Sequence, residues 1–212
     1  MRNLILCAMA IFISLAAQPS YSRCVQTGSD RFRCDELEPN PDLTGIQQGA
    51  NNNGVQVNVL KDGNIDTNNL IAIHLGNGPN HVDIFMATVQ GLISSITVGT
   101  ADDEILIDSA KLISTNDTIF LNEGNDNIVI KDSMIVTTIG GVTIAVGGGN
   151  DTAIISDSTI STGPEISRAF TGGAGMEDLT ILNSTITNLS SDASVSVGAD
   201  NDKLFVAHST IT

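Results

Sequence analysis

Residues 125–135 read NDNIVIKDSMI, and residues 150–160 read NDTAIISDSTI. Both stretches pass from an acidic turn through alternating apolar residues, such as Ile128 and Ile130, to a serine. Five stretches of this kind end at the serines Ser109, Ser133, Ser158, Ser184 and Ser209. These serines are 24, 25, 26 and 25 residues apart, and a steady interval of this size is typical of stacked repeats. Apolar residues at every second position favour strands over helices, so the sequence predicts an all-β solenoid.

Each repeat contains room for three short strands and three turns, which is one coil of a parallel β-helix. Residues 135–138 and 142–146, for example, supply the second and third strands of one coil. Successive coils of about 25 residues would stack about 4.8 Å apart, so that each residue lies on its counterpart in the next coil. This stacking predicts two internal files of aliphatic side chains, Ile105, Ile128, Ala153 and Leu204, and Ile107, Ile130, Ile155 and Val206.

Polar residues at the end of each repeat predict two further ladders at a turn. The first is a hydroxyl ladder of the five serines, preceded by Thr88. The second contains the residues before those serines, namely Asp108, Asp132, Asp157, Asn183 and His208. We expect both ladders to be hydrogen-bonded structural features rather than catalytic groups.

The chain divides into three predicted segments. Residues 1–22 combine Arg2, an apolar stretch and small residues before a cleavage point, the pattern of a secretory signal peptide. Residues 23–44 form a lead-in, and residues 45–212 form the β-helix, which we expect to be incomplete at its C-terminus. A disulfide between Cys24 and Cys34 is expected in the lead-in, because an exported chain enters an oxidising compartment.

An acidic residue follows the turn before each repeat and predicts a column of carboxylates. Its members are Asp103, Asp126, Asp151, Asp178 and Asp202. Stacked charges repel, by roughly 1 kcal/mol at 4 Å in water. Two arrangements would relieve this repulsion: splayed, solvated side chains, which we favour, or calcium ions bound between coils. Calcium-dependent secreted repeats are therefore one alternative for the function.

The composition and motifs bear on the class of function. A net charge of −15 with only nine Lys and Arg residues argues against nucleic acid as a partner. His74, His81 and His208 are far apart, and the sequence predicts no catalytic residues. A second alternative is a polysaccharide lyase or hydrolase of the β-helix class, in which Arg168 would act with Asp157 or Asp178.

The leader, the Cys24-Val-Gln-Thr-Gly28…Cys34 pattern and the following GVQVNV stretch at residues 54–59 resemble the start of a bacterial autotransporter passenger (type V secretion). This resemblance implies a right-handed parallel β-helix at the cell surface or outer membrane, or released from it. It also implies a non-enzymatic adhesion scaffold for an extracellular or host-surface ligand, with loops such as residues 161–178 held outward. A C-terminal translocator barrel, which the family carries, is missing from these 212 residues.

Overall fold

A computed structural model describes residues 23–35, 45–49, 53–61, 63–67, 70–165 and 167–212. These ranges form 23 β-strands, numbered here along the chain, in three sheets, and they contain no helix. The predicted signal peptide and residues 36–44 of the lead-in lie outside the described residues. The described ranges also contain no helix that is long and apolar enough to cross a membrane.

Sheet 1 has nine strands and forms one side of the solenoid: β1 (Arg23–Gly28), β2 (Arg31–Asp35), β4 (Gln56–Val59), β7 (His81–Phe85), β10 (Glu104–Asp108), β13 (Asn127–Lys131), β16 (Thr152–Ser156), β19 (Asp178–Leu182) and β22 (Lys203–Ala207). Sheet 2 has seven: β5 (Ile65–Asp66), β8 (Thr88–Gln90), β11 (Lys111–Ser114), β14 (Met134–Thr137), β17 (Thr159–Ser161), β20 (Thr185–Thr187) and β23 (Thr210–Ile211). Sheet 3 also has seven: β3 (Ile46–Gln48), β6 (Ile71–Leu75), β9 (Ser94–Thr97), β12 (Ile119–Phe120), β15 (Gly141–Gly147), β18 (Ser167–Gly172) and β21 (Val195–Ser196).

The chain visits the three sheets in turn, and every strand from β4 onward pairs in parallel with the strand one coil away. About 7 coils stack at intervals of roughly 25 residues. The predicted parallel β-helix is therefore confirmed. Residues 161–178, predicted as an outward loop, instead contain β18, which pairs with β15 inside sheet 3. The prediction of a loop was wrong because this stretch carries buried residues such as Phe170, which is 1% exposed.

Both predicted internal files are confirmed by the register of sheet 1. Ile107, Ile130 and Ile155 are direct partners in β10, β13 and β16, and all three are at most 1% exposed. The files continue through Leu179 and Ile181 of β19. Burying each such side chain contributes about 1.5–3 kcal/mol. In the last coil, Leu204 and Val206 keep the register but are 49% and 39% exposed, since no described coil lies on them.

The first two strands form an antiparallel hairpin at the N-terminal end of sheet 1. Cys24 faces Cys34 across this hairpin, and the predicted disulfide joins them. The Cys34 side chain is fully buried, and β2 pairs in parallel with β4. The disulfide thus ties the edge strand β1 to the first strand that joins the solenoid.

Candidate functional site

The hydroxyl ladder lies at the corner between sheets 1 and 2. Four of the predicted serines belong to it, and two other predicted residues, Ser109 and Thr88, each lie one residue away from the column. Ser133, Ser158 and Ser184 each accept a hydrogen bond at Oγ from the backbone N–H of the residue in the preceding coil, at 3.0, 3.0 and 3.1 Å. Each also donates to the carbonyl two residues earlier, at 2.6 Å. Ser209 extends the ladder by accepting from Ser184 at 3.0 Å. These hydroxyls join neighbouring coils, as expected for a structural ladder.

Ser109, Asp108 and Thr88 were assigned to the wrong columns. Asp108 pairs with Lys131, so Ala110 occupies the hydroxyl column where Ser109 was expected. Thr88 pairs with Lys111 and lies one residue beyond this column. The reason is that both coils are 23 residues long, whereas the spacing is 24 residues from Ser109 to Ser133 and 21 residues from Thr88 to Ser109. The residues that precede the hydroxyl column all have a positive φ of 46° to 55°: Met86, Ser109, Asp132, Asp157, Asn183 and His208.

The turn before sheet 1 contains the recurrent acidic residues, which we call the acid column. Its members are Asp103, Asp126, Asp151, Glu177 and Asp202, and Asn80 occupies the same position in the coil before them. Asp178, which the sequence placed in this column, lies one residue beyond it, and Glu177 occupies the column position. Asp178 begins β19 opposite Thr152 and Lys203, and its side chain is half exposed beside the Lys203 ammonium, 3.3 Å away.

Backbone N–H groups bind one oxygen of each aspartate in the centre of the acid column. Oδ1 of Asp103 accepts from the backbone of Asn80 at 2.6 Å, and Oδ1 of Asp126 accepts from the backbone of Asp103 at 2.8 Å. Asp151 accepts from Asp126 in the same way at 2.8 Å. Glu177 is longer and turns back to the N–H of Gly173 in its own coil, at 3.4 Å. The aspartates of the column therefore connect coils, just as the serines do, and the side chain of Glu177 does not.

The acid column is buried, which contradicts the expectation of splayed, solvated side chains. Asp103, Asp126, Asp151 and Glu177 are 2–3% exposed, and Oδ2 of the three aspartates and Oε2 of Glu177 have no hydrogen-bond partner. The sequence suggested a surface turn because acidic residues and glycines are usual there. Instead, the carboxyl groups turn inward to satisfy the N–H groups of the preceding coil, which would otherwise remain unpaired.

Burial shifts the proton affinity of these acids strongly. Burial raises the pKa of Asp126 to about 8, opposed by the hydrogen bond from the Asp103 backbone and aided by the charges of Asp103, Asp151 and Asp102. Burial likewise raises the pKa of Asp103 to about 6, although two hydrogen bonds from Asn80 oppose it. The pKa of Asp151 is raised by the same cause. Burial and the neighbouring Asp202 raise the pKa of Glu177 to about 7.

The arrangement offers little to a metal ion. Within the ranges that the structure describes, no three His, Cys, Asp or Glu side chains are placed to hold one. In the aspartates that would be the ligands, Oδ1 already accepts a backbone hydrogen bond. Calcium binding between coils of the acid column was predicted from the sequence, and it stays a prediction.

The candidate catalytic group around Arg168 is not assembled. Arg168 forms an ion pair with Asp192, with its Nε 3.9 Å from Oδ2, and is about half exposed. Asp157 accepts a hydrogen bond from the side chain of Asn183 at 3.2 Å, and Asp178 faces Lys203. The three predicted members therefore have separate partners.

A histidine that the sequence treated as isolated lies between two carboxylates at the start of sheet 1. His81 Nδ1 is 2.9 Å from Glu104 Oε2 in the next coil, and Nε2 is 3.0 Å from Asp83 Oδ2. Burial lowers the pKa of His81, but Asp83 and Glu104 outweigh it, so that the pKa is raised overall. The sequence could have indicated this cluster, because Glu104 follows His81 by one coil and Asp83 lies on the same face of β7.

Comparisons of this chain with protein-family models, curated proteins and solved structures find no match. The class of protein is defined by the fold alone, as a parallel β-solenoid whose repeated polar side chains bind neighbouring coils to each other.

Proposed function

We propose that this chain is an exported, non-enzymatic scaffold similar to an autotransporter passenger, which presents its outer surface to an extracellular or host-surface ligand. The observation that carries the proposal is the use of the repeated polar groups. The serines and the central aspartates, which recur in several successive coils, accept hydrogen bonds from the preceding coil. Side chains used in this way build a stiff rod and are not free for chemistry on a substrate.

Two further features support export and surface display. The apolar N-terminal stretch has the form of a secretory leader, and the Cys24–Cys34 disulfide suits an oxidising compartment outside the cytosol. The net charge of −15 favours solubility and disfavours contact with nucleic acid or anionic membranes. The proposed location is therefore the cell surface, the outer membrane or the medium.

Export and display can be tested by fusing the full chain to a translocator barrel in a Gram-negative host. A short epitope is inserted between Ser190 and Ser191, which lie in an irregular segment between β20 and β21. We expect cleavage of the leader, formation of the disulfide and antibody labelling of intact cells. As a matched control, the same epitope between Gly148 and Gly149 should abolish display, because both glycines are packed against the coil before.

Two results would contradict the proposal, one from this display experiment and one from an enzyme assay. One is retention of the uncleaved chain in the cytoplasm. The other is enzymatic activity: incubation of the purified protein with uronate-containing polysaccharides should release no new chain ends. If chain ends appear and an Arg168→Ala variant lacks them, the protein is a lyase or hydrolase and not a scaffold.

Calcium should have little effect on this scaffold. In the acid column, Oδ1 of the aspartates is engaged by backbone N–H groups, and the side chains are buried, so an ion would have to lose its water shell to reach the remaining oxygen, Oδ2. We expect the melting temperature at neutral pH to differ by less than about 2 °C between millimolar calcium and a chelator, a difference of roughly 0.5–1 kcal/mol for a domain of this size. A rise well above this value would instead support the calcium-dependent alternative.

A further inference from the structure

The acid column contains buried carboxyl oxygen atoms that take part in no hydrogen bond. Oδ2 of Asp103, Asp126 and Asp151 has no hydrogen-bond partner, and the three residues are 3%, 2% and 2% exposed. A buried carboxylate without water or a donor at one oxygen is strongly unfavourable, because ionised groups lose most of their solvation on burial. Each of these oxygens therefore needs a partner, and a carboxylate oxygen cannot supply a donor of its own.

Asn80 shows what the position requires. Its Oδ1 accepts from the backbone of Val55 at 3.0 Å, just as Oδ1 of each aspartate accepts from the coil before it. Its other branch, Nδ2, is a donor and binds the carbonyl of Gly76 at 2.9 Å and Oδ1 of Asp103 at 2.9 Å. In the aspartates Oδ2 takes the place of this donating nitrogen. Only the protonated acid has a donor at that branch.

The charges around the acid column also favour neutral side chains. Asp126 faces Asp103 and Asp151 from the adjacent coils and Asp102 from the turn before β10. The negative charges of Glu123 and Asp102 act on Asp151, and those of Asp202 and Asp151 act on Glu177. The cationic side chains His81, Lys131, Arg168 and Lys203 form their ion pairs with other carboxylates. Ionising neighbouring members of the column would therefore place like charges about 4.8 Å apart, and none of these four cations is paired with the column.

We propose that Asp103, Asp126 and Asp151 carry protons on Oδ2 in the folded solenoid, so that this branch of each side chain is a neutral donor group, as Nδ2 of Asn80 is. The protonated acid column then holds the coils together at acidic pH and weakens as the pH rises. In this proposal, Oδ2 of each aspartate binds a proton and not a metal ion. If the chain is exported, as proposed above, the solenoid is most stable in an acidic medium and less stable in an alkaline one.

The direction of the pH effect follows from the raised pKa values. In the unfolded chain the carboxyl of Asp126 ionises near 3.8, whereas in the folded chain burial raises its pKa to about 8. The folded state then binds more protons than the unfolded state between these two values, so stability is fully present below the lower one and falls as the pH rises through the upper one. Asp103, with its pKa raised to about 6, adds to the loss in the lower part of this window.

The test compares thermal unfolding of the protein and of an Asp126→Asn variant at pH 5 and pH 8. We expect the unmodified protein to melt at least about 5 °C lower at pH 8 than at pH 5. Asp126→Asn should melt close to the unmodified protein at pH 5 and above it at pH 8, because asparagine supplies the donor at both pH values. The difference between the two proteins isolates the acid column, since His81, whose pKa is also raised, is present in both.

Asp132→Asn is the matched control. It removes the same charge from an exposed corner with φ +47°, where Asn183 occupies the equivalent position in another coil. We expect it to leave the difference between pH 5 and pH 8 unchanged. A protein that is equally stable or more stable at pH 8, or an Asp126→Asn variant that melts lower than the unmodified protein at pH 8, would overturn the proposal.

Two further measurements keep the test decisive if the variant does not fold. The infrared band of protonated carboxyl groups should persist at pH 6 in the folded unmodified protein and disappear on unfolding at the same pH. Its absence from the folded protein would contradict the proposal. Calcium added at pH 8 should not restore the stability seen at pH 5. If it does so fully, the column binds a cation in place of protons and the proposal is wrong.

Discussion

Ile130→Ala is expected to destabilise the protein by about 2–5 kcal/mol, the usual cost of removing a large buried aliphatic side chain. Ile130 is fully buried and lies between Ile107 and Ile155 of the adjacent coils, so its loss leaves a cavity lined by both neighbours. The backbone on either side is fixed by parallel pairing and cannot close the gap. Urea unfolding followed by circular dichroism measures the loss.

Val129→Ala is the matched control for this prediction. Val129 is adjacent in sequence but points outward from β13 and is only partly buried. We expect it to cost less than about 1 kcal/mol, because most of the removed surface was already near water. Equal losses at the two positions would show that Ile130 does not lie in a continuous internal file.

Gly147→Ala is expected to cost about 3 kcal/mol or more, because two separate causes of strain act at one residue. Gly147 ends β15 with φ +89°, a conformation that residues with a Cβ rarely adopt. A Cβ would also meet the backbone carbonyl of Asn122 in the coil before, which already accepts from the N–H of Gly148 at 2.8 Å. Differential scanning calorimetry of the purified variant measures the effect.

Gly28→Ala provides the comparison for the glycine prediction. Among the described residues, the atoms nearest to a Cβ at Gly28 would belong to the side chain of Arg31, at 3.8 Å, which is an ordinary contact. We expect a change of less than about 0.5 kcal/mol at this position. If Gly147→Ala were as mild as Gly28→Ala, adjacent coils would not approach as closely at this corner as the structure requires.

The internal files could be predicted from sequence because they depend on two regular patterns. Alternation within a strand decides which side chains point inward, and the repeat length decides which of them meet. Ile107, Ile130 and Ile155 satisfy both patterns, and the structure confirms their contact. Residues 167–172 lacked this clear alternation, since glycines and polar residues surround Phe170, and the strand β18 was therefore missed.

The polar columns were harder to predict because coil lengths vary. Coils between successive members of the acid column are 23, 25, 26 and 25 residues long, from Asp103 through Glu177 to Asp202. Matching residues by identity therefore selected Ser109 instead of Ala110 and Asp178 instead of Glu177. Counting from the buried isoleucines would have given the correct register, because the hydrophobic pattern and not the turn residue is fixed by the core.

Burial of the acid column could not be predicted from residue type. Acidic residues are mostly exposed in folded proteins, and nothing in the local sequence distinguishes an inward Asp126 from an outward Asp132. The difference arises from the unpaired N–H groups at the turn, which attract a side-chain acceptor from the next coil. Asn80, one coil before Asp103, occupies the same column and indicates that the position needs both an acceptor and a donor.

Register between coils can be measured by disulfide cross-linking. Asn127 and Thr152 are exposed direct partners in β13 and β16, so cysteines at these two positions should form a disulfide within one chain on mild oxidation. Asn127 paired with Ser156, four residues further along β16, is separated by roughly 13 Å and should not. Efficient cross-linking of the first pair alone supports stacked coils, whereas no cross-link, or equal cross-linking of both pairs, would contradict them.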